Sequence, residues 1–264
     1  MDWSNRNWSK EDKLYAPKRK VDNKGSHNKP HVIGSIASYK MSRDVAYHSL
    51  AECLFYYFLE LDQASVRYYD QPINVHKAMV SCSRCTRISS RLSSHLYQIK
   101  NSPDMETEIF KLCNSRCEKL AFSQNWKYSV IYPKTLPEVV VRNLKFLNPY
   151  LKKRKSYSQW VDQVINNLSY LETSSVLDIA RSFTASVDFR YILPVVYHLI
   201  ATGVFNVNLQ KTITLGNFSG QLRQFLGESD SFETVQFTGP EYEEEGLIDQ
   251  KVDHDDSLKP QNWI

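Results

Sequence analysis

Ser49-Leu50-Ala51-Glu52-Cys53-Leu54-Phe55-Tyr56-Tyr57-Phe58-Leu59-Glu60-Leu61 opens the segment Ser49–Lys100, and the reading of that segment decides the fold. Leu50, Cys53, Leu54, Tyr57, Phe58 and Leu61 recur at helical spacing, which predicts an amphipathic helix with one buried stripe. Ser49 suits its N-cap, and Glu52 falls in its first turn. Three strands are expected to follow: Val66–Tyr69, an apolar run from Ile73 to Val80, and Tyr97–Lys100. In the last of these Gln98 and Lys100 are two residues apart and leave the same face.

Working outward, Ser102 to Phe122 reads as a helix, Lys127 to Tyr132 as a strand, and Pro137 to Leu147 as a helix with proline at its start. This predicts an α/β layer over residues 33–150. The basic run Tyr150-Leu151-Lys152-Lys153-Arg154-Lys155 is the expected domain boundary. Beyond it lie three amphipathic helical patterns (Tyr157–Leu171, Ser174–Phe183, Asp188–Ala201), with Gly203 as the residue that ends the last. A hairpin of Phe205–Leu209 with Lys211–Leu215 completes the order of a winged-helix-like domain over 156–215. Residues 1–32 show no period and read as a basic N-terminal arm; residues 216–264 read as an acidic flexible tail.

Charge is unevenly spread. The chain carries +4 overall, yet residues 216–264 hold 11 acidic and 3 basic residues, so the remainder stands near +12. A basic body suggests a polyanionic partner. The acidic tail ends in Gln261-Asn262-Trp263-Ile264, which suits either a short docking peptide or a frayed end. No apolar run approaches the ~18 residues of a membrane span. The polar start Met1–Lys10 lacks a secretory h-region, so a cytoplasmic protein is expected. Five cysteines argue against a disulfide framework in that setting.

Phosphodiester hydrolysis needs a divalent metal to activate water and neutralise developing charge. Glu52, an acidic residue on the middle strand, Gln98 and Lys100 would supply the required groups, with Glu52 and Gln98 as ligands of Mg2+ (or Mn2+). The cations closest to such a centre are Lys40 and Arg43 before it, Arg84, Arg87 and Arg91 beside it, and Lys152, Lys153 and Arg154 in the basic joint; all are candidate DNA contacts. Separately, Cys82-x-x-Cys85 and Cys113-x-x-x-Cys117 have the spacing of a candidate structural zinc site. Small core cysteines are the plainer reading of the second pair.

An ordered series of short motifs carries a family resemblance over about residues 33–215. It comprises Lys40 and Arg43, Ser49-Leu50-Ala51-Glu52, Asp62 and Val66, Tyr69-Asp70-Gln71-Pro72, Gln98-Ile99-Lys100, and Arg142-Asn143-Leu144 before Tyr150. In this series the chain resembles TnsA, the endonuclease subunit of heteromeric cut-and-paste transposases. The resemblance implies a restriction-endonuclease-like nuclease core followed by a winged-helix-like domain. It also implies Mg2+-dependent cleavage at the 5′ ends of a transposon, a TnsB-type partner acting on the 3′ ends, and a TnsC-type ATPase regulator. One residue departs from the pattern: Ala78 stands where the strand Asp is expected, and no Asp or Glu lies between Asp70 and Asp104. The chain is therefore expected to bind metal poorly and cut weakly or not at all. An inactivated variant, a natural subunit retained for assembly, and a carboxylate reaching in from Asp70 or Asp104 all stay open. The alternative is a non-catalytic DNA- and protein-binding adaptor that assembles the transposition complex.

Overall fold

The computed structural model describes residues 7–18, 32–73, 75–77, 80–82, 85–90, 94–101, 107–171, 175–213 and 223–224, with side chains for all of these except 75–90, 168–171 and 223–224. It is a mixed α/β structure. Its centre is a four-stranded sheet in the order β3 (Ser65–Asp70), β6 (Cys85–Ser90), β7 (Ser94–Ile99), β8 (Lys127–Ile131). Each of the first three strands is antiparallel to its neighbour, and β8 is parallel to β7. A parallel neighbour requires a crossover, and α3 (Glu108–Ser123), capped by the Thr107 hydroxyl, supplies it. With α2 (Leu50–Leu61) before β3, the central order is helix, three antiparallel strands, helix, parallel strand.

Two small hairpins flank the sheet: β1 (Gly34–Ser38) with β2 (Arg43–Tyr47), and β4 (Val75–Lys77) with β5 (Val80–Cys82). The run expected as one strand from Ile73 to Val80 is thus split. The middle sheet strand is β6, whose sequence Cys-Thr-Arg-Ile-Ser-Ser has too little apolar content to announce itself.

Helix α2 was expected to bury one stripe, and it buries almost its whole circumference. Phe55 lies 5.5 Å from the Tyr97 ring and Tyr56 stacks on Tyr68, both against the sheet. On the far side Leu54 and Leu61 join a second core with α4 (Glu138–Leu147), α5 (Val161–Leu171), α6 (Val176–Arg181) and α7 (Phe189–Ala201). Leu50, read as part of the stripe, is exposed. The sandwiched position accounts for the burial on both sides of the helix, and Leu50, its first residue, lies outside both cores.

That second core runs without a break across the expected boundary at residue 150. The joint itself is pinned at both ends, since His198 of α7 contacts the Tyr150 carbonyl through Nδ1 at 2.6 Å and Tyr157 is buried. Asn143 ties α4 to the chain beyond α7. Its amide donates to the carbonyls of Leu209 and Lys211, both at 2.7 Å, and its oxygen accepts from Ile213 N at 3.1 Å. Gly203 follows α7 at φ 72, and a Cβ there would meet the Gln63 side chain at 2.5 Å.

Among the described residues the expected hairpin of 205–209 with 211–215 is not formed. β9 (Phe205–Asn206) pairs instead with β10 (Arg223–Gln224), within the stretch expected to be acidic tail. The N-terminal arm also contains structure: α1 (Ser9–Leu14) places Asp12 in a bidentate pair with Arg67 of β3, at 2.8 and 2.6 Å. No helix among the described residues is long and apolar enough to cross a membrane.

Asn143→Ala leaves two carbonyls and one amide without partners, so it should lower unfolding free energy by about 2–4 kcal/mol. Urea denaturation of the variant against the parent measures this directly; an unchanged midpoint would contradict the tether.

Candidate functional site

Helix α2 and β3 are joined by a tight turn in which Asp62 accepts from Ala64 N at 3.1 Å and from Ser65 N at 3.0 Å, so the two elements run back to back. Twelve helical residues rise ~18 Å, which nearly matches six strand residues at ~20 Å. Glu52 in the first turn of α2 therefore lies at the end of the sheet where β3 finishes with Asp70. The ladders bring the rest to that end. Asp70 pairs with Thr86 and Thr86 with Tyr97, and the next row outward is Cys85, Gln98 and Val130. Lys100 follows directly, its backbone N–H donating to Ile131 O at 2.9 Å. Glu52, Gln98 and Lys100, picked from sequence, share one end of the sheet.

They approach it from different sides. Tyr97 faces α2, so its neighbour Gln98 is turned to the opposite face. There Gln98 is buried and accepts from the Tyr128 hydroxyl at 2.6 Å, which also lies 3.3 Å from Asn114 Oδ1 of α3. The Lys100 ammonium sits 3.5 Å from the centroid of Phe110 in α3. Glu52 is buried, and its Oε2 accepts from His48 N at 2.8 Å while Ser49 Oγ accepts from Glu52 N at 3.2 Å. This reciprocal arrangement is close to a capping box and gives Glu52 a structural role at the helix start.

No protein-family model matches the chain, and no curated protein matches it. The site must therefore be weighed on its own chemistry.

Ala78 lies outside the described residues, between β4 and β5. The residue that faces Gln98 across the ladder is Cys85, at the start of the middle strand. Asp70, the nearer alternative carboxylate, is buried and held by Arg43 at 2.6 Å. Asp104 lies outside the described residues. Among the described residues no group of three His, Cys, Asp or Glu side chains is placed to hold a metal ion. Here the Gln98 oxygen accepts from Tyr128, Glu52 Oε2 caps α2, and Asp70 is paired with Arg43, whereas Mg2+ or Mn2+ would need several oxygen donors.

The candidate DNA contacts divide in two. Lys152, Lys153 and Arg154 are exposed on the pinned joint. Arg43 is partly exposed but committed to Asp70. Arg84 and Arg91 lie outside the described residues, and so does the side chain of Arg87. Lys40 is reassigned: its ammonium donates to the carbonyls of Leu59, Asp62 and Ser65, closing the C-terminal end of α2. That end is a helix length away from Glu52.

Glu60 is the buried charge that sequence reasoning passed over. It accepts from the Ser38 hydroxyl, from Tyr39 N at 3.0 Å, from Lys40 N at 3.4 Å and from the Tyr68 hydroxyl at 2.7 Å. Burial, and then the Glu60 charge, push the Tyr68 phenol well above its ordinary pKa, so it stays a donor at any physiological pH. A glutamate on the same helix face as Tyr56 was the available signal.

Lys40→Met should destabilise the fold by about 1–3 kcal/mol by leaving carbonyls at the helix end unpaired. DNA affinity of the folded fraction should stay within about twofold, because no phosphate contact is lost. Parallel thermal melts and anisotropy titrations separate the two effects; a large affinity loss at unchanged stability would restore Lys40 to the DNA surface.

Proposed function

We propose that this chain is a DNA-binding subunit of the TnsA type, acting at transposon ends within a heteromeric transposase, with a nuclease-like core whose own cutting is impaired. The carrying observation is the order helix, three antiparallel strands, helix, parallel strand, with Gln98-x-Lys100 at the exit of the third strand and Glu52 at the same end. That order agrees with the restriction-endonuclease-like core that the motif series implies. The exposed cations at 152–154 on a pinned segment, and the basic balance of residues 1–215, support a nucleic-acid partner.

The chemistry this arrangement supports is limited. Lys100 offers a cation at the sheet end and the joint offers three more, so the polyanion can be held and oriented. A second carboxylate beside Gln98 is what metal-assisted hydrolysis would require, and the ladder sets a cysteine there. This favours the adaptor alternative, in which the core docks DNA while TnsB-type and TnsC-type partners, met through the helical half and the tail, carry out the cutting, joining and target choice.

The test is an anisotropy titration of duplex DNA over a salt series, paired with a nicking assay in Mg2+ and Mn2+. Binding should weaken steeply with salt, and Lys152→Ala/Lys153→Ala/Arg154→Ala should reduce the log–log slope by about 2–3. Nicking should be weak or absent. Salt-independent or undetectable DNA binding would sink the proposal. Vigorous Mg2+-dependent cleavage abolished by Glu52→Ala would overturn its impaired-nuclease part.

A further inference from the structure

Of the cysteines with zinc spacing, the side chains of Cys82 and Cys85 lie outside the described residues, and Cys113 and Cys117 pack in the core with Leu96 and Ala121. The larger unassigned feature is electrostatic. Six cations lie along residues 142–155 (Arg142, Lys145, Lys152, Lys153, Arg154 and Lys155) with no Asp or Glu among them. All six are exposed, and none forms an ion pair within the described residues. Their backbone is fixed: α4 by its buried Val140, Leu144 and Leu147, the joint by the Tyr150 carbonyl and buried Tyr157. Like charges held close on a fixed backbone repel one another, and a bound anion relieves the repulsion.

The chain carries such an anion itself. Residues 241–256 hold eight acidic residues and one lysine, and lie outside the described residues. The point from which the chain leaves toward them is placed. β10 pairs with β9 and packs against α5, the helix that starts six residues after Lys155. The eleven residues of α5 span ~16 Å. Glu241 is seventeen residues beyond Gln224, a chain length of up to ~60 Å. The acidic run is therefore tethered within reach of the joint. Such a tether gives an effective concentration on the order of mM, which a separate acidic protein does not match.

We infer that residues 241–256 dock on the basic stretch 142–155 of the same chain and cover Lys152, Lys153 and Arg154 until a polyanion displaces them. The attraction is between a run of carboxylates and a fixed row of cations, so it weakens as salt rises. That the covered cations are DNA contacts rests on the function proposed above; the docking itself does not. Where both hold, a ligand must present many phosphates at once to open the surface, which suppresses weaker anionic competitors.

The experiment uses the full chain and begins without DNA. Carbodiimide joins carboxylates to lysine amines in contact, and peptide mass spectrometry locates the links. Links from 241–256 to Lys145, Lys152, Lys153 or Lys155 are expected, fading as salt rises. Mixing 15N-labelled with unlabelled chain separates links within one chain from links between two copies. Links that are absent, spread evenly over all exposed lysines, or formed only between copies would overturn the docking. Duplex affinity is then compared between the parent and Glu243→Gln/Glu244→Gln/Glu245→Gln/Asp255→Asn/Asp256→Asn, with the melting temperature as a check on folding. The variant should bind about three- to tenfold tighter at low salt, the gap closing as salt rises, and duplex should erase the links in the parent. Equal affinities would overturn the shielding. Links in a chain that binds no duplex in either form would sink the DNA reading and leave the docking standing.

Discussion

Helix α2 is the constraint on which the rest depends. It lies between the sheet and the helical layer, and it carries a buried carboxylate near each end, Glu52 and Glu60. Burying an unpaired carboxylate costs several kcal/mol, so each end must be met by donors. At the C-terminal end the β1–β2 hairpin meets Glu60 with a hydroxyl and two backbone amides, and sends Lys40 to cap the helix carbonyls. At the N-terminal end the chain entering the helix does the same for Glu52 through His48 N. The helix is thereby locked against the sheet, and its direction decides which end of the sheet collects the polar residues.

The sequence was most informative where local pattern and chemistry coincide. The helix over residues 50–61, its Ser49 cap and a strand carrying Gln98 and ending just before Lys100 all appear where the sequence puts them, as does Gly203 after α7. Other features depend on contacts far apart in the chain and leave no local trace. β6 is recognisable only from its pairing, because its residues are mostly polar. α1 is a single short turn-rich helix held by Asp12 on Arg67, with no period to read. β9 finds its partner across residues 207–222, where a tight hairpin would turn within two to five residues. Lys40 was placed with the DNA-facing cations because a lysine in sequence carries charge but no address; its three carbonyl partners give it one.

Asn143 and Asp62 illustrate how a motif series can mix roles. Both belong to the series that resembles TnsA, yet here one tethers the segment after β9 and the other shapes the turn between α2 and β3. Such residues report the fold and say little about catalysis. Glu52, Gln98 and Lys100 remain as the polar end of the sheet, with Cys85 the register partner of Gln98.

The central proposal is that the end of the sheet bearing Glu52, Gln98 and Lys100 faces DNA, while the end bearing Lys40 and Glu60 does not. Site-specific photocross-linking tests it with an internal control, since both Asn101 and Tyr39 are exposed and lie at opposite ends. A photoreactive probe at position 101 should cross-link to a bound duplex, and the same probe at position 39 should not. Cross-linking from position 39 in preference to 101, at equal DNA affinity, would contradict the account.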